Sequence, residues 1–170
     1  EGADVIFCPV SIAYSTQIIK LAASMNLETP ILGSDTLDSN KVLSAAKGSG
    51  VQIYVSTFYQ EGGSPEFDEG IKGWLNEDST AMTNNGGDDT IAAVTAMGYD
   101  AYYAALEALK AAGSTDPADV MAALPSVNFD GATGHIEFDE NGDAVRDAAF
   151  VKHLNTESGE YEMYGEVKVK

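Results

Sequence analysis

Three short apolar runs are each followed by residues that could do chemistry. Asp4–Val10 leads into Ser11 and Ile12. Pro30–Gly33 leads into Ser34, Asp35 and Thr36, and Val51–Val55 into Ser56, Thr57, Phe58 and Tyr59. These ends supply hydroxyls, one carboxylate and two rings. If the runs are parallel strands of one open sheet, their carboxyl ends share an edge, where such sheets bind ligands. The set suits a small polar ligand with an ammonium or hydroxyl group, because a carboxylate holds an ammonium by a charge-assisted hydrogen bond. On pattern alone, Asp35 reads equally well as a turn or cap residue for the helix after it.

The elements that position these ends are legible. Asp4–Val10 is short, continuous, β-branched and aromatic, as a buried strand would be. Ile18, Leu21, Ala22 and Met25 then recur at helical spacing and predict one apolar stripe. Residues 38–47 predict a short helix capped by Asp38 or Ser39, with Gly48 just past its end. Val51–Ser56 alternates enough for one partly polar face. Strands separated by helices imply a parallel sheet, so the front of the chain is α/β.

The pattern changes near Gln60, where a Gly-rich polar stretch begins. Ser64-Pro65-Glu66 starts a helix with Phe67, Ile71, Trp74 and Leu75 on one face. Residues 84–89 form a loop ending in a cap. A long helix follows to about Ala112, stopped by Gly113, with Tyr99, Tyr102, Tyr103, Leu106 and Leu109 along one side. Most of that stripe is expected in the core, with Asp100 making a local hydrogen bond. Asp116-Pro117 opens another helix. Residues 129–134 are turn-rich, Ile136–Phe138 is a strand, and Ala148–Leu154 and Tyr161–Val169 form a hairpin.

Other chemistry finds little support. There is no G-x-G-x-x-G, Walker A, H-E-x-x-H or G-x-S-x-G motif. Asp139–Asp143 begins like a calcium loop, but Gly142 stands fourth instead of sixth and Phe150 takes the twelfth place of the glutamate, so a hairpin turn is expected. Cys8 inside an apolar strand reads as a small buried hydrophobe. A single cysteine excludes an intrachain disulfide and any multi-cysteine metal site. His135 and His153 have no evident base partner and read as structural.

The 170 residues carry 27 acidic and 9 basic side chains, a formal net charge of −18. Both halves are acidic, so this is no tail. Phosphate contacts need basic patches, and nucleic acid and anionic lipid are disfavoured as partners. No apolar run approaches the ~18–20 residues of a membrane span, and no signal peptide is visible. The chain enters an apolar run at once after Glu1-Gly2-Ala3, as if cut inside a larger protein.

Three segments together resemble one family. The first is Asp4-Val5-Ile6-Phe7, then Gln17–Ala22, then Pro30-Ile31-Leu32-Gly33-Ser34-Asp35. The second is Gly98-Tyr99-Asp100-Ala101 with the turn Gly113–Pro117. The third is Phe129-Asp130-Gly131-Ala132-Thr133-Gly134-His135-Ile136-Glu137-Phe138-Asp139-Glu140-Asn141-Gly142-Asp143. In order and spacing they are similar to the second lobe and following segments of periplasmic-type solute-binding proteins for branched-chain amino acids.

The resemblance implies a truncated type I periplasmic binding protein fold: a parallel sheet flanked by helices, with a C-terminal antiparallel hairpin. Residues 1–58 would belong to the C-terminal lobe, 59–145 to the N-terminal lobe, and 146–170 to a hairpin returning to the C-terminal lobe. It implies capture of a small amino acid between closing lobes for the membrane permease of an ATP-driven importer (an ABC transporter), with no catalysis and no cofactor. Asp35 would meet the ligand ammonium, Ser11 and Ile12 would line the same wall with Thr36, and Val94 the other. The place of action would be extracytoplasmic, in the periplasm or on a Gram-positive cell surface as a lipoprotein. A sensor domain for an amino acid or amide, or an α/β enzyme domain, are the alternatives. The middle segment of the isolated chain is expected to self-associate or to be disordered.

Overall fold

Alternation of β-branched runs with helical stretches produces the order β1 Ile6–Cys8, α1 Ile12–Ser24, β2 Ile31–Gly33, α2 Asn40–Ala46, β3 Ile53–Thr57, α3 Pro65–Glu77, α4 Ser79–Asn84, α5 Ala93–Ala112, α6 Pro117–Ala123, β4 Asn128–Gly131, β5 Gly134–Glu137, β6 Ala148–Asn155 and β7 Glu160–Lys168. These come from a computed structural model that describes residues 2–146 and 148–168. The expected strand end at Val169 lies outside the described residues.

The main sheet runs β1-β2-β3-β6-β7. β1, β2 and β3 are parallel, and β6 joins β3 antiparallel, from Ile53 opposite Leu154 to Thr57 opposite Phe150. A core of Ile19, Ile31, Val42, Ile53, Val55 and Leu154 fills the space between this sheet and α1 and α2. β3 alternates fully and partly buried residues, as its pattern predicts.

Two expectations here need correction. β1 is shorter than its apolar run and lies at the sheet edge, so Val5, Ile6 and Phe7 are exposed and only Cys8 is buried. On α1 the buried line is Ser15, Ile19 and Ala22, while Ile18, Leu21 and Met25 face out. Ser15 can enter the core because its hydroxyl donates to the Ile12 carbonyl at 2.9 Å.

The middle segment also departs from its apolar pattern. α5 buries Ala93, Ala96, Asp100, Ala104 and Ala108, small residues that admit close packing. The tyrosine stripe expected in the core faces out, Tyr102 being 66% exposed. On α3, Phe67 and Leu75 are buried but Trp74 is exposed. Ser64 makes no side-chain cap, and α4, which the sequence reading missed, is capped by Asp78 through the amides of Thr80 and Ala81. Gly113 ends α5 in the left-handed conformation, φ 59°.

Asp100 reaches far beyond local bonds. Its buried carboxylate accepts the amides of Ala132 at 2.7 Å and Thr133 at 2.8 Å, and the Thr133 hydroxyl at 2.5 Å. A Cβ on Gly131 would sit 2.4 Å from Asp100 Oδ1, so a side chain at that position has no room. The region 129–134, expected as turn, is the β4–β5 hairpin closed on this carboxylate. Asp139 accepts the amides of Asn141 at 2.8 Å and Asp143 at 2.9 Å, closing the expected turn, and those N–H groups hold its pKa below the usual carboxylate value.

Candidate functional site

Beyond the carboxyl ends of β1 and β2 lies a cleft of about 540 Å³. It gathers Ser11, Ile12, Asp35, Thr36 and Val94, residues drawn from three separate stretches of chain. One wall is the start of α1 and the turn after β2. The other is the start of α5, with Asn84 and Asn85 at the end of α4.

Each residue has a distinct local setting. Ser11 sits at the N-cap position of α1, where its carbonyl accepts from Tyr14 and Ser15, while its hydroxyl makes no cap bond. Ile12 is half-buried against the main core. Thr36 spends its hydroxyl on structure: it donates to the Val10 carbonyl at 2.7 Å and bonds the Ser34 hydroxyl at 2.9 Å, tying the ends of β1 and β2 together. Val94, in the first turn of α5, presents an exposed apolar side chain.

Asp35 opens a 3-10 turn, Asp35–Leu37, and its carbonyl accepts the Asp38 amide at 3.0 Å. It is therefore a turn residue by its backbone, but its side chain caps nothing. Among the described residues no hydrogen bond or ion pair engages its half-buried carboxylate. An anion left without a protein partner at a cleft wall can take a cation from solution.

The end of β3 does not contribute. The Ser56 hydroxyl donates to the Gly33 carbonyl at 3.2 Å, Thr57 is buried, and Phe58 lies under the Arg146 guanidinium at 5.7 Å. Tyr59 is buried and donates to Asp68 at 2.5 Å; burial, reinforced by Asp68, pushes its phenol pKa well up.

The sequence reading missed the role of Asp38. Ser39, not Asp38, caps α2, by accepting the Lys41 amide at 3.2 Å. Asp38 is 4% exposed and its Oδ2 accepts from the Thr57 hydroxyl at 3.0 Å, the Ala93 amide at 3.2 Å and the Lys152 ammonium at 2.8 Å. It thereby caps α5, the role expected of the 84–89 loop. Tyr161 closes the cluster: its hydroxyl donates to the Leu37 carbonyl and accepts the Ser39 amide, and its ring lies 5.5 Å from Lys152 Nζ. Burial pushes its phenol pKa up, with the Asp38 charge adding to the effect. Partners 114 positions apart leave no local signal in the sequence.

A second cavity, about 630 Å³, lies on the far side of Asp38, between Gln60, Lys72, Lys152 and Tyr161. Of its charged groups, Glu61 is paired with Lys72, Asp68 with Tyr59, and Asp38 with Lys152, while Glu160 stands exposed at its margin. The histidines lie elsewhere. His135 does have a carboxylate neighbour, Asp130 at 2.8 Å, and His153 lies 3.9 Å from Glu162 and packs at a tilt against the Tyr54 ring.

The family described as periplasmic binding protein matches residues 1–159. No curated protein matches the chain. Among solved structures, a leucine-binding protein, LivK, of Thermotoga maritima is 24% identical and superposes over 97% of this chain and 45% of its own, with a TM-score of 0.75. A solute-binding protein of an R. palustris ABC transporter, in complex with benzoate, is 21% identical over 96% of this chain and 42% of its own, TM-score 0.71. The branched-chain amino acid transporter substrate-binding protein LivJ of Streptococcus pneumoniae, in complex with isoleucine, is 18% identical over 99% of this chain and 45% of its own, TM-score 0.65. The chain thus spans less than half the length of each. Among the described residues no helix is long and apolar enough to cross a membrane.

Proposed function

The chain belongs to the periplasmic binding protein family, and from that premise we propose that it forms part of an extracytoplasmic solute-binding protein that captures a small amino acid, of the branched-chain type, for the permease of an ATP-driven importer. The observation that carries the reading is the half-buried Asp35 carboxylate, without a partner among the described residues, in a cleft it shares with Ser11, Ile12, Thr36 and Val94. An ammonium on Asp35 and an aliphatic side chain against Ile12 and Val94 use both the charge and the apolar wall.

Residues 1–58 and the hairpin 146–170 are assigned to one lobe, and 59–145 to the other. The cleft then lies between the lobes, and hinge closure would remove the ligand from water. Benzoate, held by one of the similar proteins, has no cation to offer Asp35, which favours the amino acid. Capture and release need no bond-making chemistry, and the matching family is one of binding proteins.

A thermal-shift screen of the full-length protein tests this. A ligand at about 100 times its Kd adds about 2.7 kcal/mol to stability, so leucine, isoleucine or valine should raise Tm by several degrees. A response to benzoate alone, or to none of the amino acids, would refute the ligand class.

A further inference from the structure

Asp38 stands three residues from Asp35, at the other end of the same 3-10 turn. Its carboxylate leaves that turn and accepts the amide of Ala93, the first residue of α5 and fully buried, next to Val94 on the opposite cleft wall. Leu37, between them, is fully buried and its carbonyl accepts from Tyr161. The turn therefore cannot rotate freely about Asp38. Lys152 from β6 and Thr57 from β3 donate to the same carboxylate oxygen, so the charge that grips α5 is itself anchored in the main sheet.

We infer that Asp38 is a positioning residue: with Lys152 and Thr57 it fixes the start of α5 against the Asp35 turn, and so sets the spacing of the two cleft walls around the ligand. This rests on the binding function proposed above. A buried ion pair often adds little net stability, but a shared carboxylate that joins three elements fixes their geometry. The Ala93 N–H is the part of this arrangement that touches the second wall, and it needs an acceptor, not a charge.

Two double variants of the full-length protein separate these roles. Asp38→Asn with Lys152→Met removes both charges and keeps an acceptor for Ala93. Asp38→Leu with Lys152→Met removes the acceptor too. Leucine affinity by calorimetry is expected to be at least tenfold weaker in the Leu/Met protein than in the Asn/Met protein, with faster hydrogen exchange at the Ala93 amide. Equal affinities and equal exchange in the two variants would overturn the inference.

The wild-type protein provides a measurement that does not depend on either variant folding. Saturating leucine should slow exchange at the Ala93 amide at least tenfold, by reciprocity between ligand and coupling bond, and unchanged exchange would overturn the inference. If the wild type binds no amino acid, the functional reading fails by itself. Ala93 exchange in the two double variants then still decides whether Asp38 holds α5.

Discussion

Thr133 is held from two sides: its hydroxyl donates to Asp100 at 2.5 Å and accepts from Arg146 at 2.8 Å. Asp100 lies on the buried face of α5, Thr133 in the β4–β5 turn, and Arg146 just before β6. One hydroxyl thus links the long helix, the small hairpin and the strand that returns to the main sheet. The Tyr99-Asp100-Ala101 and Phe129–Gly134 motifs, separated in sequence, are two halves of this contact.

Asp100→Ala leaves the amides of Ala132 and Thr133 and the Thr133 hydroxyl without their acceptor. Buried donors left unpaired cost about 1–3 kcal/mol each, and the total is expected to exceed about 3 kcal/mol in urea unfolding of the full-length protein. Gly131→Ala places a Cβ 2.4 Å from the same carboxylate and should cost about 1–3 kcal/mol as overpacking does. A Gly131→Ala protein as stable as wild type would show that the carboxylate is not held as described.

Lys152→Met removes the cation and leaves the Asp38 charge buried beside two neutral donors. Removing one partner of a buried pair costs about 3–5 kcal/mol. The midpoint of urea unfolding should fall accordingly at neutral pH. A loss below about 1 kcal/mol would mean that the carboxylate reaches water.

Alkaline titration addresses the two buried phenols. Tyr59 and Tyr161 both have pKa values raised by burial above the usual value of about 10. The unfolded chain ionises first, so their contribution to stability is complete below that pH and is lost as pH rises toward the folded value. Phenolate absorbance should show a late-ionising fraction that shrinks in Tyr59→Phe. An unchanged late fraction would contradict the assignment.

The isolated 170-residue chain exposes Phe7, Tyr14, Leu21 and Met25 near one edge of the sheet, and Trp74 and Tyr102 on the helices. Apolar surface of this kind drives association. Light scattering should show concentration-dependent self-association, and calorimetry should find amino-acid binding weaker than about millimolar, about −4 kcal/mol, because similar proteins are more than twice as long. A monodisperse monomer, or binding tighter than that, would argue against each point in turn.

Strand and helix existence was legible wherever periodicity and caps agreed: β1, β2, β3 and the β6–β7 hairpin, and the starts of α3 and α6 at Pro65 and Pro117. The buried faces of α1 and α5 were not. There the interior is made by Ser15, Ile19 and Ala22 on α1 and by alanines with Asp100 on α5, and a hydrophobicity count favours the larger residues that face out. The α4 turn was missed because six residues carry too little period to register. The strand-end rule brought Ser11, Ile12, Asp35 and Thr36 to one edge, and the family resemblance added Val94. Asp38 escaped because its partners, Ala93 and Lys152, are brought to it only by the finished fold.

The central claim is that Asp35 holds the ligand ammonium. Calorimetric titration of leucine into the full-length protein and its Asp35→Ala variant tests it most directly. Loss of a charged hydrogen bond should weaken binding by about 1.5–3 kcal/mol, roughly ten- to a hundredfold. Affinity within about twofold of wild type, less than 0.5 kcal/mol on the same scale, would contradict the claim.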